Sequence, residues 1–320
     1  MGVWRFVLWL VIGDHEHFCN TLRMPHWQKH KFCWECQADK RHALKHGRAF
    51  VDGTSGCDLK PVMSELNISN HGVYDIPGVT RHNTTHDAMH VLYVNGLGSH
   101  MIGSMLHGLV YPPEGRPRGQ TPEERLDAIW NRIQELYSER DQQMRLTRMT
   151  NLTISMFTDK NAPFKSHPQL KCKGAECRHL LPIMAQISQE CHSGSEIDEH
   201  RTKMLEAVSL FGDLMDRCGP VPTGVQATMA RQAMIDVLFH SHQLRAHAEA
   251  NDSQLWHIVY KHHFAEHLSE QFRWMNPRFG WCFKSEDFIG RISLMAHSTA
   301  FGTRSIDLAS KIMEKWRLLL

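Results

Sequence analysis

The sequence lacks a hydrophobic run long enough to cross a membrane. The apolar run near its start, Phe6 to Ile12, has seven residues, whereas a membrane-spanning helix needs ~18 or more. We therefore expect no membrane association and interpret the run as a strand buried on both faces. Asp14 follows this run and is predicted to stand at the end of a core strand.

A strong charge of one sign is absent as well. The chain has 36 Lys and Arg against 34 Asp and Glu, a net charge of +2. Bulk charge therefore does not indicate a nucleic-acid-binding protein, and any basic surface must be local. The 42% hydrophobic and 22% charged content excludes a disordered chain. Its 320 residues allow one or two domains.

The cysteines do not form a closed disulfide framework, because nine is an odd number. They fit a reducing compartment with metal sites or free thiols. Secretion is the alternative, since Arg5 precedes the apolar run and the chain contains four N-glycosylation sequons, at Asn67, Asn83, Asn151 and Asn251. No small-residue cleavage site follows the run, so we expect a nuclear or intracellular protein.

Among the residues that are present, Cys33-x2-Cys36 indicates half of a tetrahedral zinc site, because two thiolates at this spacing can grip one ion. Two free thiols are the alternative. The spacing does not determine the other two ligands. The candidates for them are Cys19, Cys57, His15, His17, His30 and His42. Cys172-x4-Cys177 with His179 is a poorer match to a zinc motif.

Three histidines cluster later in the chain, and His263 and His267 stand one helical turn apart. A zinc peptidase needs glutamate directly after the first histidine of such a pair, but Glu266 occupies another position, so a metalloprotease is disfavoured. We interpret this segment as an amphipathic helix whose histidines face outward.

The middle of the chain is predicted to be helical. Residues 112–120 break the chain, and Thr121 and Glu124 with Pro122 between them form a capping-box motif. Apolar stripes at helical spacing then predict helices through residues 121–250. Upstream, the glycines of "GLGSHMIG" are attributed to close helix packing, because they do not match a dinucleotide-binding motif. The stripes are Leu97, Met101, Met105 and Leu109; Leu126, Ile129, Ile133 and Leu136; and Met204, Val208, Phe211 and Met215.

Three acidic positions stand where predicted elements begin or end: Asp14, Asp87 and the pair Glu286-Asp287. The last pair follows "RFGWCF", whose alternating aromatics predict a strand. Converging carboxylates can hold divalent ions for phosphoryl transfer. An isolated aspartate at such a position is also typical of a helix cap.

Several segments together resemble one protein family. "GDHEHF", "MPHW", "CWEC", "HDAMHVLYVNGLGSHMIGSML", "WHIVYKHHFAEHL" and "CFKSEDFIGRI" are similar, in that order, to the core of CACTA-type DDE transposases. The resemblance implies an α/β, RNase H-like mixed sheet interrupted by a helical insertion. Residues 1–111 would be the first part of that core and carry the Cys-x2-Cys loop, 121–250 the insertion, and 251–320 the last part of the core.

The resemblance also implies a site. Asp14 corresponds to the second family aspartate, and Asp87 with His90 to an Asp-x2-His element. Glu286 corresponds to the terminal glutamate, with Asp287 as its rival. Asp14 and Glu286 would then hold Mg²⁺ or Mn²⁺ for DNA hydrolysis and strand transfer, with DNA as partner and a homo-oligomer as the expected assembly.

One part of the family pattern is missing, because no acidic residue precedes Asp14. We expect from this a truncated or degenerate transposable-element copy, and leave enzymatic activity open. The alternative function is a non-catalytic, zinc-stapled module that binds nucleic acid or protein.

Overall fold

The computed structural model describes residues 10–30, 32–36, 75–79, 83–112, 121–141 and 147–317. The chain divides into two compact units, Met1–Gly280 and Trp281–Leu320. Within the described ranges the first unit contains α1 (His15–Asn20), α2 (Ala88–Leu92), α3 (Leu97–Val110), α4 (Pro122–Asp141), α5 (Gly174–Glu190), α6 (Glu196–Arg217), α7 (Gly224–Ala250) and α8 (Lys261–Gln271). The second unit contains α9 (Phe283–Ala300) and α10 (Ser305–Arg317).

The prediction of an RNase H-like mixed sheet is wrong for the described part of the chain, which is helical and contains no strand. The apolar run that we interpreted as a strand is described from residue 10 onward. It is irregular there, and only Val11 N–H donates to a distant backbone group, the Asn83 carbonyl (2.7 Å). Residues 1–9 lie outside the described residues.

The strand predicted for "RFGWCF" is also wrong. Pro277–Gly280 is a 3₁₀ turn, and α9 begins at Phe283. Asn276 explains the turn: its side-chain oxygen accepts from Arg278 N–H (3.0 Å) and its carbonyl accepts from Phe279 N–H (3.1 Å). A local side-chain cap of this kind outweighs the preference of alternating aromatics for a strand.

Helices α6 and α7 pack against each other more extensively than any other described pair. Ser195 caps α6 by accepting from Asp198 N–H, and Thr223 with Gln226 forms a capping box at the start of α7. All four members of the predicted α6 stripe are buried. The stripe turns one face of α6 toward the core, so this prediction is confirmed.

The capping box predicted at the start of α4 is confirmed too. Thr121 N–H donates to a Glu124 carboxylate oxygen (2.6 Å), and Glu124 N–H donates to the Thr121 hydroxyl (3.2 Å). These two bonds satisfy backbone donors that the first helical turn leaves open.

The glycines of α3 serve close packing, as predicted. A Cβ on Gly103 would lie 2.7 Å from Gln169 Cα, and one on Gly98 would lie 2.9 Å from a Leu181 methyl carbon. Only glycine permits the backbone of residues 169–170 to approach α3 this closely.

None of the helices in the described ranges is both long and apolar enough to cross a bilayer.

Candidate metal centre

Helix α8 lies inside the first unit, in contact with α7 and α2. Its apolar residues Phe264 and Leu268 are buried, but so are His262, His263 and His267, each at most 4% exposed. The interpretation that these histidines face outward is therefore wrong. The N-terminal segment packs on the face that carries His263 and His267, and His262 lies on another face, against residues of α3, α6 and α7.

That N-terminal segment, residues 10–30 and 32–36, contains a small hydrophobic cluster of Phe18, Leu22, Met24 and Trp34. The Trp34 indole N–H donates to the Thr84 carbonyl (2.9 Å). Trp34 stands between Cys33 and Cys36, so fixing its ring also fixes the turn that presents the two thiols.

The two cysteines and two histidines of α8 converge on one point. Cys33 Sγ lies 3.2 Å from His267 Nε2, and Cys36 Sγ lies 3.3 Å from His263 Nε2. The two Nε2 atoms are 3.0 Å apart. All four ligand atoms lie within 4.8 Å of one another, and all four residues are buried. This group can hold a metal ion.

Further groups orient the ligands from behind. Glu35 N–H donates to Cys33 Sγ (3.3 Å), which favours a thiolate at this position. A Glu35 carboxylate oxygen lies 3.6 Å from His267 Nδ1, and a Glu266 carboxylate oxygen lies 4.0 Å from His263 Nδ1. Both distances are longer than a hydrogen bond, but a nearby carboxylate favours a proton on Nδ1 of an imidazole, which leaves Nε2 free for a metal.

Glu35 itself is held from a second side. Its other carboxylate oxygen lies 3.2 Å from His86 Nε2, and the His86 ring stacks on Phe264 at a centroid distance of 3.8 Å. His86 is 3% exposed, and its burial holds the pKa of its imidazole well below the ordinary 6.5. The Glu35 carboxylate thus lies between His267 and a buried ring.

The candidate ligands differ in the direction in which their pKa values are shifted. Burial raises the pKa of the Cys33 thiol and lowers the pKa of His263. Burial also disfavours charge on His267, but the nearby Glu35 carboxylate and Cys36 outweigh it and raise the pKa of His267 to about 9. A metal ion that binds here must displace the protons of these groups, so binding releases protons.

The other candidates for zinc ligation that the structure describes do not join this cluster. His15 and Cys19 contact each other, with Nε2 3.3 Å from Sγ, and His17 Nδ1 lies 3.3 Å from the Thr21 hydroxyl. His30 is exposed. Cys57 and His42 lie outside the described residues. Cys33 and Cys36 are the two predicted ligands that the structure brings together.

Of the acidic residues singled out in the sequence, Asp14 and Asp87 cap helices. Asp14 caps α1 by accepting from His17 N–H (2.6 Å). Asp87 caps α2 by accepting from Met89 N–H (3.0 Å), and its other oxygen contacts His90 Nδ1. The cap interpretation weighed in the sequence analysis thus describes the geometry of both residues. Glu286 and Asp287 lie on α9 of the second unit, and their side chains lie outside the described part of the structure.

Sequence reasoning missed His263 and His267 as partners of the Cys-x2-Cys pair. The signal was present, because His-x3-His is the spacing that completes a Cys₂His₂ zinc site. A sequence separation of 227 residues between Cys36 and His263 hid the connection. The histidine pair was tested against the zinc-peptidase motif instead.

Comparison with known proteins adds no name to this centre: no family model, curated protein or solved structure matches the chain. We therefore infer the function from the geometry and chemistry of the residues themselves.

Proposed function

We propose that this protein is a zinc-stapled binding module. A Zn²⁺ held by Cys33, Cys36, His263 and His267 fastens the N-terminal segment onto α8. The single observation that carries the proposal is the convergence of these four buried ligand atoms within 4.8 Å.

The spacing of the ligand atoms fits zinc. Zn–S bonds of about 2.3 Å and Zn–N bonds of about 2.0–2.1 Å, arranged as a tetrahedron, require ligand atoms about 3.3–3.8 Å apart. The three separations given above are 3.2, 3.3 and 3.0 Å, so a small outward movement of the side chains is enough to admit the ion.

The zinc is structural in this proposal. Four protein ligands complete a tetrahedral shell, whereas a catalytic zinc keeps a position open for water or substrate. The ligands stand 227 and 234 residues apart in the two contacting pairs. An ion that joins such distant segments removes many conformations from the unfolded chain.

DNA is the partner that we propose for the module. The order of motifs resembling CACTA-type transposases supports DNA, and so do the exposed lysines Lys171 and Lys173, which can neutralise phosphates locally. Metal-dependent strand transfer is not part of the proposal. In those transposases a mixed sheet organises that reaction, and the described residues of this chain form no sheet.

The zinc proposal is tested by metal analysis of the purified full-length chain. We expect one zinc per chain, a Co²⁺-substituted form with the absorption of tetrahedral S₂N₂ coordination, and loss of both in Cys33→Ser. The matched control is Cys191→Ser, since Cys191 is exposed and should leave zinc content unchanged. A chain that is folded and metal-free, or equal zinc loss in both variants, contradicts the proposal.

The DNA proposal is tested separately with the zinc-loaded chain, by fluorescence anisotropy on a labelled duplex at several salt concentrations. Affinity should fall with salt, and the double variant K171Q/K173Q should bind more weakly and with a smaller salt slope. Lys203→Gln, which removes an exposed lysine on α6 paired with Glu199, is the control. A salt-independent signal, or equal binding by all three proteins, would remove DNA as the partner.

A further inference from the structure

A second feature of the first unit lies away from the metal centre. Helices α4, α5 and α6 surround a cavity of about 200 Å³, and Tyr93, which follows α2, also lines it. The phenol of Tyr93 comes close to α6, because a Cβ on Gly212 would lie 3.1 Å from the Tyr93 oxygen. Tyr93 is 1% exposed, so its ring is a fixed part of the cavity wall.

The cavity carries more positive than negative side chains. Its lining contains Arg140, Arg178 and Arg217, against the carboxylates of Asp213 and Asp216. Arg178 pairs with Asp216, and Arg217 lies 3.6 Å from Asp213. Asp216 is shared further, since Arg278 lies 3.2 Å from its second oxygen. Three guanidinium groups, those of Arg178, Arg217 and Arg278, therefore share the two carboxylates.

Arg140 is the cation whose charge is not compensated locally. Its guanidinium donates to the Pro182 carbonyl (3.3 Å) and to the Gln186 side-chain oxygen (3.5 Å). Both acceptors are neutral, and no described carboxylate forms an ion pair with it. A partly buried guanidinium held by neutral acceptors at a cavity wall is poised to bind an oxyanion.

Other residues of the cavity wall indicate the chemistry of the rest of the ligand. His179 accepts from Thr147 N–H at Nδ1 (2.8 Å), and the tautomer that does so carries its proton on Nε2, a further donor. Leu181, Pro182 and Val208 add an apolar surface. A few placed donors among apolar groups are typical of sites for small organic molecules.

We propose that this cavity binds a small organic anion, with Arg140 as the principal contact to a phosphate or carboxylate group and the apolar wall against the organic part. The site is independent of the zinc and of DNA. Its partner class is set by size, because a cavity of about 200 Å³ accepts a small molecule and excludes a double helix.

The test is isothermal titration of the zinc-loaded full-length chain with phenyl phosphate, benzoate and inorganic phosphate. The first two share an apolar ring and differ in the oxyanion. We expect saturable binding of at least one of them, tighter than inorganic phosphate. The ligand that binds more tightly assigns the oxyanion.

Arg140→Gln should weaken that binding about tenfold or more, the usual effect of losing a charge-assisted hydrogen bond. Arg273→Gln is the control, since Arg273 is exposed and lies outside the cavity. If Arg140→Gln does not fold, as judged by circular dichroism, Arg217→Gln replaces it, with a smaller loss of affinity expected because Arg217 already lies near Asp213. No saturable binding by the wild type, or equal binding by pocket and control variants, overturns the proposal.

Discussion

The N-terminal segment and the α6–α7 pair are stabilised in different ways. Helices α6 and α7 have 22 and 27 residues, have side-chain caps at both starts and share a continuous apolar face. The N-terminal segment has one helix of six residues and a cluster of four buried hydrophobic side chains. A helix this short is not stable alone, so we expect the segment to depend on the proposed zinc ion, whereas the helical pair depends on its apolar core.

The sharpest way to break this comparison is to remove one histidine ligand. His263→Ala should abolish zinc binding and release residues 10–36 from α8, because structural zinc contributes on the order of 10 kcal/mol. Limited proteolysis should then cut within this segment while helices α6 and α7 stay protected. His247→Ala, at an exposed position near the end of α7, should leave the pattern of the wild type.

A change in the apolar core should have the next largest effect, this time on the helical body. Phe211 is fully buried, so Phe211→Ala should lower the free energy of unfolding by about 3–5 kcal/mol without lowering zinc content. Leu210→Ala, at the neighbouring position that is 42% exposed, should cost less than about 1 kcal/mol. Urea denaturation measures both, and similar costs would count against a core on this face of α6.

Close packing of α3 provides a smaller test. Gly103→Ala should destabilise the protein by about 1–3 kcal/mol, because the new methyl group meets the Gln169 backbone. Gly108→Ala on the same helix meets nothing nearer than 4.0 Å, so its better helix propensity should leave stability unchanged or raise it by up to about 1 kcal/mol. Thermal unfolding compares the two variants, and equal midpoints would contradict the close approach.

The carboxylate behind the ligands should have a weaker effect than a ligand itself. Glu35→Gln should lower zinc affinity about 10–100-fold, measured by competition with a chelator, and keep the stoichiometry of one ion. Glu16→Gln, an exposed carboxylate of the same segment, is the matched control. Equal affinity in the two variants would show that Glu35 does not act on His267.

The last prediction concerns the loss of stability in acid. Burial, together with His257, Lys261 and His167, lowers the pKa of His100 from 6.5 to about 3, and burial lowers that of His257 to about 4. Below pH 6.5 the unfolded chain gains protons that the folded chain refuses, so stability falls as the pH drops from about 6.5 toward 3.

His100→Gln should reduce this slope of stability with pH, as measured by urea midpoints from pH 7 to pH 4. His297→Gln, at an exposed position, should not change the slope. A steeper slope in His100→Gln would contradict the origin assigned to the acid sensitivity.

These comparisons also show what the sequence could predict. The helices α3, α4, α6 and α7 were predictable because their signals are local: apolar stripes at helical spacing and capping residues at the starts. The α/β fold was not, because the run ending at Asp14 and the alternating aromatics near Phe279 have the composition of strands but no partner strands in the described chain. Side-chain caps determine the local structure at both places, with Asp14 at the start of α1 and Asn276 before the 3₁₀ turn.

Half of the metal centre was predictable for the same reason. Cys33 and Cys36 are three positions apart, and their spacing alone indicates a shared ion. His263 and His267 show an equally local pattern. No spacing rule connects this pair with the cysteines, because Cys36 and His263 are 227 residues apart in the sequence. Packing of α8 under the N-terminal segment supplies that link, and packing is not a property of local sequence.

Zinc K-edge X-ray absorption of the purified chain tests the central claim most directly. We expect the zinc ion to be coordinated by two sulfur atoms at about 2.3 Å and two nitrogen atoms at about 2.0–2.1 Å. The spectrum should lose this shell in His267→Ala. A shell made of oxygen atoms, or one with sulfur neighbours that persists unchanged in that variant, would contradict a site formed by Cys33, Cys36, His263 and His267.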